Sequence, residues 1–365
     1  MSTGLDIAIF GSSLVSAYWN GAATYYRGMV RALAARGHRI RFYEPDAFDR
    51  QRHRDLADPP WARVIVYPGD DDAAALAALA SALDADLLIK TSGVGVYDAL
   101  LEDAVAAARG PSRTVAFWDV DAPATLERLR RDPADPFHRC VPRFDLVLTY
   151  GGGAPVVACY ESLGAKRCVP INNALDPTTH FPGRADARFA ADLGFLGNRL
   201  PDREARVESF FLDAAGRLPQ RRFVLGGNGW SDRALPPNVV DVGHVYTTEH
   251  NAFNASCRAV LSISRASMAA CGFSPATRVF EAAGAAACLI TDAWEGIERF
   301  LEPGREVLVA HDGAEVASLL EALDADRARR IGEAALARVL AEHTYAHRAA
   351  EFDAVLEGCS VEVHR

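Results

Sequence analysis

Two tandem doubly wound α/β domains are the fold that the sequence predicts, on three observations. Short apolar runs of strand length alternate with longer stretches of helical spacing along most of the chain. Several runs, such as Leu87-Leu88-Ile89 and Leu146-Val147-Leu148, are continuously apolar, as in strands buried on both faces of a parallel sheet. The alternation breaks over residues 173–188, where Pro177, Pro182 and Gly183 fall, and then restarts. A length of 365 residues, half of them apolar, is enough for two full cores.

The first strand is expected at residues 6–10, ending in Gly11-Ser12-Ser13. Tyr26, Met29, Val30 and Leu33 then fall at i, i+3, i+4 and i+7 of a helix that Gly37 is placed to end. Strands follow at 38–43, 63–67, 86–90, 114–118, 144–149 and 167–171, with helices at 73–83, 97–108, 124–131 and 154–163 between them. The second half offers strands at 193–196, 222–225, 239–242, 259–263, 288–291 and 307–309. Its helices include 201–218, with Pro201 near the start, and one that Thr248 caps. Another is opened by Ser274-Pro275, a cap followed by proline, and helices run to the end with a break near Thr344. The domains are therefore an N-terminal unit at 1–172, a hinge at 173–188 and a C-terminal unit at 189–344. Doubly wound sheets bind ligands where the strand order reverses, so a pair of them facing across a cleft forms the expected site.

Composition excludes several classes of function. A net charge of −9, with no long basic block, argues against a nucleic-acid partner. No apolar run is long enough to span a bilayer, and the first residues lack a signal-peptide pattern, so the expected location is the cytoplasm. Seven cysteines without C-x-x-C spacing read as reduced thiols. His343 and His347 lie four apart but lack the glutamate of a zinc protease motif, so no resident metal is expected.

The segment from Gly272 through Phe273, Ser274, Pro275, Ala276, Thr277 and Arg278 to Glu281 is the most informative. Backbone N–H groups at a helix start attract phosphate. Arg278 can offer charge to a diphosphate, and Glu281 can accept hydrogen bonds from ribose hydroxyls. The plain alternative is a helix-surface ion pair between the two. At the start of the second unit, Gly197, Asn198, Arg199 and Arg203 follow a strand into a helix. An arginine beside a positive helix N-terminus is unfavourable without an anion, which points Arg199 and Arg203 at a leaving diphosphate. Asn228 and Gly229 lie in a glycine-rich turn after the next strand.

Several of these pieces resemble the C-terminal part of the two-domain GT-B glycosyltransferases, in particular the CgeB-like, spore-maturation-type members. They are Arg278-Val279-Phe280-Glu281-Ala282, Leu289-Ile290-Thr291-Asp292, Gly296-Ile297-Glu298, Glu302-Pro303-Gly304-Arg305-Glu306-Val307, and His343-Thr344-Tyr345 with Arg348. A weaker likeness covers residues 27–44 and Trp118-Asp119-Val120-Asp121-Ala122-Pro123. The resemblance implies transfer of a sugar from a nucleotide-diphosphate donor, with that donor as co-substrate, no other cofactor and no metal. It also implies that His244, Val245 and Tyr246 lie at the base and that residues 345–365 return to the first domain. Many retaining members carry two glutamates eight residues apart; here Glu281 matches the second and Phe273 stands at the first.

The first domain is expected to hold the acceptor, whose identity is unknown, and any general base. Asp119 and Asp121 follow a strand and are the candidates for the base, with helix capping by Asp121 the plain alternative. They also spell D-x-D, which in single-domain transferases holds a divalent metal. Gly11, Ser12, Trp19, Asn20 and Ser92 lie at strand ends and are expected to line the acceptor side. Two rival functions share the fold: a nucleotide-sugar epimerase, which needs no acceptor, and a degenerate donor-binding partner subunit.

Overall fold

The computed structural model describes residues 4–18 and 20–358, which form two compact units. The first contains residues up to 172 together with those from Tyr345 onward, and the second spans Asn173–Thr344.

The first unit is a seven-stranded, all-parallel sheet. Its strands are β1 (Asp6–Phe10), β2 (Arg39–Asp46), β3 (Arg63–Pro68), β4 (Leu87–Thr91), β5 (Thr114–Asp119), β6 (Leu146–Thr149) and β7 (Cys168–Pro170), in the order β3-β2-β1-β4-β5-β6-β7. Every residue of β4 and β6 is buried, as continuous apolar runs require. The strand order reverses between β1 and β4, which pair in register from Ile7↔Leu87 to Phe10↔Lys90.

The C-terminal helix Tyr345–Leu356 packs on this unit. Tyr345 meets Tyr25 edge-on, Phe352 stacks on Trp118, and Asp353 accepts from His38 at 2.8 Å and Arg36 at 2.5 Å. Tyr25 also ties the helix Ala23–Ala35 to the sheet: its hydroxyl donates to the Ile171 carbonyl at 2.7 Å and accepts from Trp118 Nε1 at 3.0 Å.

The second unit repeats the plan with six parallel strands. They are β8 (Ala191–Leu196), β9 (Phe223–Gly226), β10 (Val239–Gly243), β11 (Cys257–Ser262), β12 (Leu289–Asp292) and β13 (Leu308–Ala310), ordered β10-β9-β8-β11-β12-β13. Its reversal falls between β8 and β11. Residues 173–188 lie in this unit, where the Leu175 N–H donates to the His343 carbonyl at 2.8 Å. The doubly wound α/β architecture expected from the alternation is thus present twice.

Three local expectations differ. The helix after β8 begins at Glu204, not Pro201, and carries a π-turn at Glu208–Leu212. Thr248 is not a cap: a 3₁₀ turn, Thr247–Glu249, precedes the helix His250–Ser256. Ser274-Pro275 does not open a helix either. Phe273 sits at φ 48°, and a residue before proline is pushed out of the helical region, so the helix starts at Thr277 and runs to Gly284.

No helix among the described residues is long and apolar enough to cross a membrane.

Candidate functional site

Five loops leave the carboxyl ends of β8 to β12 and are stitched to one another. After β8, the Gly197 N–H donates to the Gly226 carbonyl at 2.8 Å and the Arg199 N–H to the Asn228 carbonyl at 2.9 Å. Asn198 Oδ1 accepts from the Asn228 N–H at 2.9 Å, and Trp230 Nε1 donates to the Gly197 carbonyl at 2.8 Å. Gly227 is held at φ 130°, where a Cβ would lie 2.3 Å from the Gly197 oxygen, so only glycine lets these two turns touch. The Asn228 amide lies 3.3 Å from His244 Nδ1, which brings in the loop after β10. There Val245 is buried, while Tyr246 is exposed and sits edge-on to the His244 ring.

Asp292, at the end of β12, binds the other loops. Its Oδ1 accepts from the Ser264 N–H at 3.0 Å and its Oδ2 from Arg206 at 2.5 Å. The segment 272–276 lies against the loop after β12. The Phe273 N–H donates to the Glu295 carbonyl at 2.6 Å, and the Phe273 ring lies under Arg299. A Cβ on Gly296 would stand 2.1 Å from that ring. Phe273 therefore packs against the neighbouring loop after β12 and adds no polar group.

The reversal point between β8 and β11 carries four arginines paired with carboxylates, Arg199, Arg206, Arg265 and Arg278, and one, Arg203, that is not paired among the described residues. Arg203 folds back over Gly197 and the Phe195 ring and donates to the Asn198 carbonyl. Burial, then repulsion from Arg278 and Arg265, push its pKa down to about 10, with Asp202 pulling the other way. No carboxylate is within ion-pair distance of Arg203 among the described residues, and its buried Nε has no partner. Asp202 is taken by Arg265. The buried Ser274 hydroxyl is also unpartnered, and the helix Thr277–Gly284 starts at Ala276 with no side-chain cap. Orphaned donors, an arginine without a carboxylate and an uncapped helix start are features that suit an anion. Arg199 is engaged differently, by Glu204 at 2.7 Å and Asp232 at 2.9 Å, so Arg203 is the guanidinium left for a ligand.

Behind that helix start lies a buried polar cluster. Glu281, one turn into the helix, pairs with Arg278 at 2.7 Å. Arg278 Nη1 also lies 3.2 Å from His250 Nδ1, and His180 Nε2 lies 3.3 Å from the same atom. Burial works to raise the Glu281 carboxyl, but Arg278 foremost, then His180 and His250, bring it down to about 2. Burial, then Arg278, push His250 down to about 3, and burial lowers His180 as well. Both imidazoles are therefore neutral at neutral pH, and Arg278 keeps Glu281 ionised. His250 Nδ1 then accepts from Arg278, and His180, which lies against the same atom, has its own Nδ1 3.0 Å from the Thr179 hydroxyl. Ligand atoms of His180, His250 and Glu281 come within 4.8 Å of one another, and Arg278 is already bonded to two of the three residues, Glu281 at 2.7 Å and His250 at 3.2 Å.

The cluster has a pH signature. An unfolded histidine takes up its proton near pH 6.5, while the folded His250 stays neutral to about 3. Between those values unfolding binds one more proton. The second unit's stability is therefore expected to fall on acidification by about 1.4 kcal/mol per pH unit from this residue. Urea denaturation at pH 7, 6 and 5 measures that slope, and His250→Gln should flatten it.

In the first unit the expected residues are placed differently. Asp119 is fully buried. Its Oδ1 accepts from Ser92 Oγ at 2.7 Å, the Asp121 N–H at 3.0 Å and Thr125 Oγ1 at 3.1 Å, and its Oδ2 from the Tyr160 hydroxyl at 2.5 Å. A carboxylate with both oxygens enclosed in this way is bonded into the architecture, unlike the open position that the expectation of Asp119 as general base requires. Asp121, half-buried, precedes the helix Ala122–Arg131 without forming a capping bond. Ser12, Asn20 and Ser92 are buried and bonded inward, Ser12 Oγ donating to Asn20 Oδ1 at 2.9 Å. Gly11 lies against the Phe42 ring. They shape loops at the strand ends. Trp19 lies outside the described residues.

Sequence reasoning missed Arg265, His180, His250 and Asp292. Arg265 directly precedes the short helix Ala266–Cys271, and the dipole argument applied to Arg203 would have found it had that helix been read.

The chain resembles known proteins in fold and, over part of its length, in sequence. Residues 203–354 match the family model described as glycosyl transferase-like. No curated protein sequence matches the chain. Among solved structures, sucrose-phosphate synthase from Thermosynechococcus elongatus superposes with a TM-score of 0.73 at 14% identity, over 97% of this chain and 98% of that one. The Anabaena protein HepE, in complex with UDP and glucose, gives 0.68 at 14% identity, over 97% of this chain and all (100%) of that one. An alpha-glucosyltransferase in complex with UDP-glucose and DNA gives 0.71 at 13% identity, over 97% and 100% of the two chains. The chain has the GT-B fold. The family match covers most of the second unit and of the C-terminal helix.

Proposed function

We propose that this protein transfers a sugar from a UDP-sugar to an acceptor, as a CgeB-like, spore-maturation-type member of its class. The observation that carries the reading is at the β8–β11 reversal, where Arg203 has an orphaned Nε, no carboxylate partner among the described residues, and feels the charge of Arg278 in the first turn of the uncapped helix Thr277–Gly284. A diphosphate supplies the missing acceptors and neutralises the surplus charge. As the bond to the sugar breaks, negative charge grows on the leaving phosphate, and Arg203 stabilises it more strongly than in the ground state. The Glu281–Arg278–His250 cluster lies just behind. Ionised Glu281 suits ribose hydroxyls, and Tyr246 offers an exposed ring to the base. UDP and UDP-glucose are the ligands named for solved structures of this fold, which supports uracil as the base.

The sugar nucleotide serves as co-substrate, with no further cofactor and no metal, because the arginines do a cation's work at the diphosphate. The general base on the acceptor side is assigned to Asp121. The described cysteines are free thiols, which supports a reducing compartment, the cytoplasm.

A thermal-shift screen against nucleotide sugars tests the donor class. A donor at 100 times its Kd adds about 2.7 kcal/mol to the native state, and UDP-sugars should raise the midpoint where free sugars do not. No shift with any nucleotide sugar would defeat the reading. Transfer is expected to continue in EDTA at no less than about half the untreated rate, since a bound metal doing Lewis-acid work supplies several kcal/mol. Loss of activity in EDTA that manganese restores would overturn metal independence.

A further inference from the structure

The first unit carries a pocket that none of the residues discussed so far enters. It has a volume of about 660 Å³ and is lined by Asp46, Phe48, Val66, Tyr67, Asp70 and Val96, a size typical of small-molecule sites. It opens at the carboxyl ends of β2 and β3, whose register, Asp46↔Pro68, makes both strands turn out at the same level.

The pocket is held open against local preference. Phe48 and Asp49 lie at φ 57° and 56°, two consecutive non-glycine residues in the left-handed region, and Tyr97 on the neighbouring loop lies at 58°. Each such residue costs about 1–3 kcal/mol and persists only when its surroundings hold it. Arg50 holds the first pair. It is buried, donates to the Ser12 and Val94 carbonyls, and places its guanidinium 4.8 Å from the Phe48 ring centre. The Tyr97 hydroxyl holds the opposite wall by donating to the Pro68 carbonyl at 3.2 Å. The result leaves Phe48 51% exposed, although a relaxed loop would let so large an apolar ring turn inward. Val66 is also exposed, and Tyr67 is buried behind it. Asp46 and Asp70 line the pocket as well, both are exposed, and neither makes an ion pair or side-chain hydrogen bond among the described residues.

We infer that this pocket binds a hydroxylated six-membered ring, a pyranoside that is neutral or carries an amine. An exposed aromatic face suits the C–H-rich face of such a ring. Two carboxylates without partners accept from its hydroxyl or ammonium groups. The same two charges, on a chain of net charge −9, repel phosphorylated and carboxylated sugars. In the transferase reading this ligand is the acceptor, but the binding site stands on the first unit alone.

The test is direct binding of three probes to the full chain without nucleotide: methyl glucoside, glucosamine and glucose 6-phosphate, read by saturation-transfer NMR. The first two are expected to bind, and glucose 6-phosphate about tenfold more weakly or worse. Phe48→Ala and the double variant Asp46→Asn/Asp70→Asn should each weaken sugar binding about tenfold. Phe48→Trp should retain it, which separates a binding surface from a merely structural ring. Equal binding of the phosphorylated sugar, unchanged binding in both weakened variants, or no binding of any probe would overturn the proposal. Because the assay contains no donor and reads no transfer, its failure is distinct from failure of the transferase reading.

Discussion

Replacing Arg203 with methionine is expected to lower sugar transfer by about 10²–10³-fold, the usual loss when one positioned donor to a developing anion is removed. The same change should leave the thermal midpoint level or raise it. Arg203 is pressed against Arg278 and Arg265 and has no carboxylate to lose, so methionine keeps the apolar stem over Phe195 and removes the repulsion. This opposite sign in activity and stability separates a ligand group from a structural one. Arg203→Lys should fall between, because an ammonium keeps the charge but not the planar fork that matches phosphate. A less stable variant with unchanged turnover would place Arg203 in the architecture instead.

The second large effect concerns Asp119. Asp119→Asn is expected to destabilise the first unit by about 1–3 kcal/mol, the cost of leaving a buried donor without its acceptor. Ser92, Thr125, the Asp121 N–H and Tyr160 all donate to this carboxylate. Asparagine would turn an amide donor toward at least one of them. Tyr160→Phe removes one donor and should cost about 1–2 kcal/mol. Amide hydrogen exchange in β5 and β6 reads the effect locally, since the two units need not unfold together. A fully stable Asp119→Asn with impaired turnover would restore the carboxylate to catalysis.

The sheets were legible in the residues because burial on both faces writes strands as continuous apolar runs, as at Leu87-Leu88-Ile89. Strand order was not, since nothing in such a run specifies its neighbour. The β8–β11 reversal that gathers Arg203 and Arg265 appeared only in three dimensions. Arg203 itself could be read from its place at a helix start. His180 could not, because it reaches Glu281 from a segment about a hundred residues away that looked like a linker. The enclosure of Asp119 was hidden for a related reason. A D-x-D tripeptide after a strand does not reveal that Tyr160 and Ser92 close over its first carboxylate. At Phe273 the sequence correctly marked a missing acid, and the structure adds where the ring goes instead.

The central claim, that the β8–β11 reversal binds a nucleotide diphosphate through Arg203, is tested most directly by calorimetric titration of UDP and of uridine into the native chain and into Arg203→Met. UDP should bind the native chain at least about tenfold more tightly than uridine, a gap of about 1.4 kcal/mol, and the substitution should close most of it while leaving uridine affinity unchanged. Equal affinities for UDP and uridine in the native chain, or an undiminished preference for UDP in the variant, would contradict it.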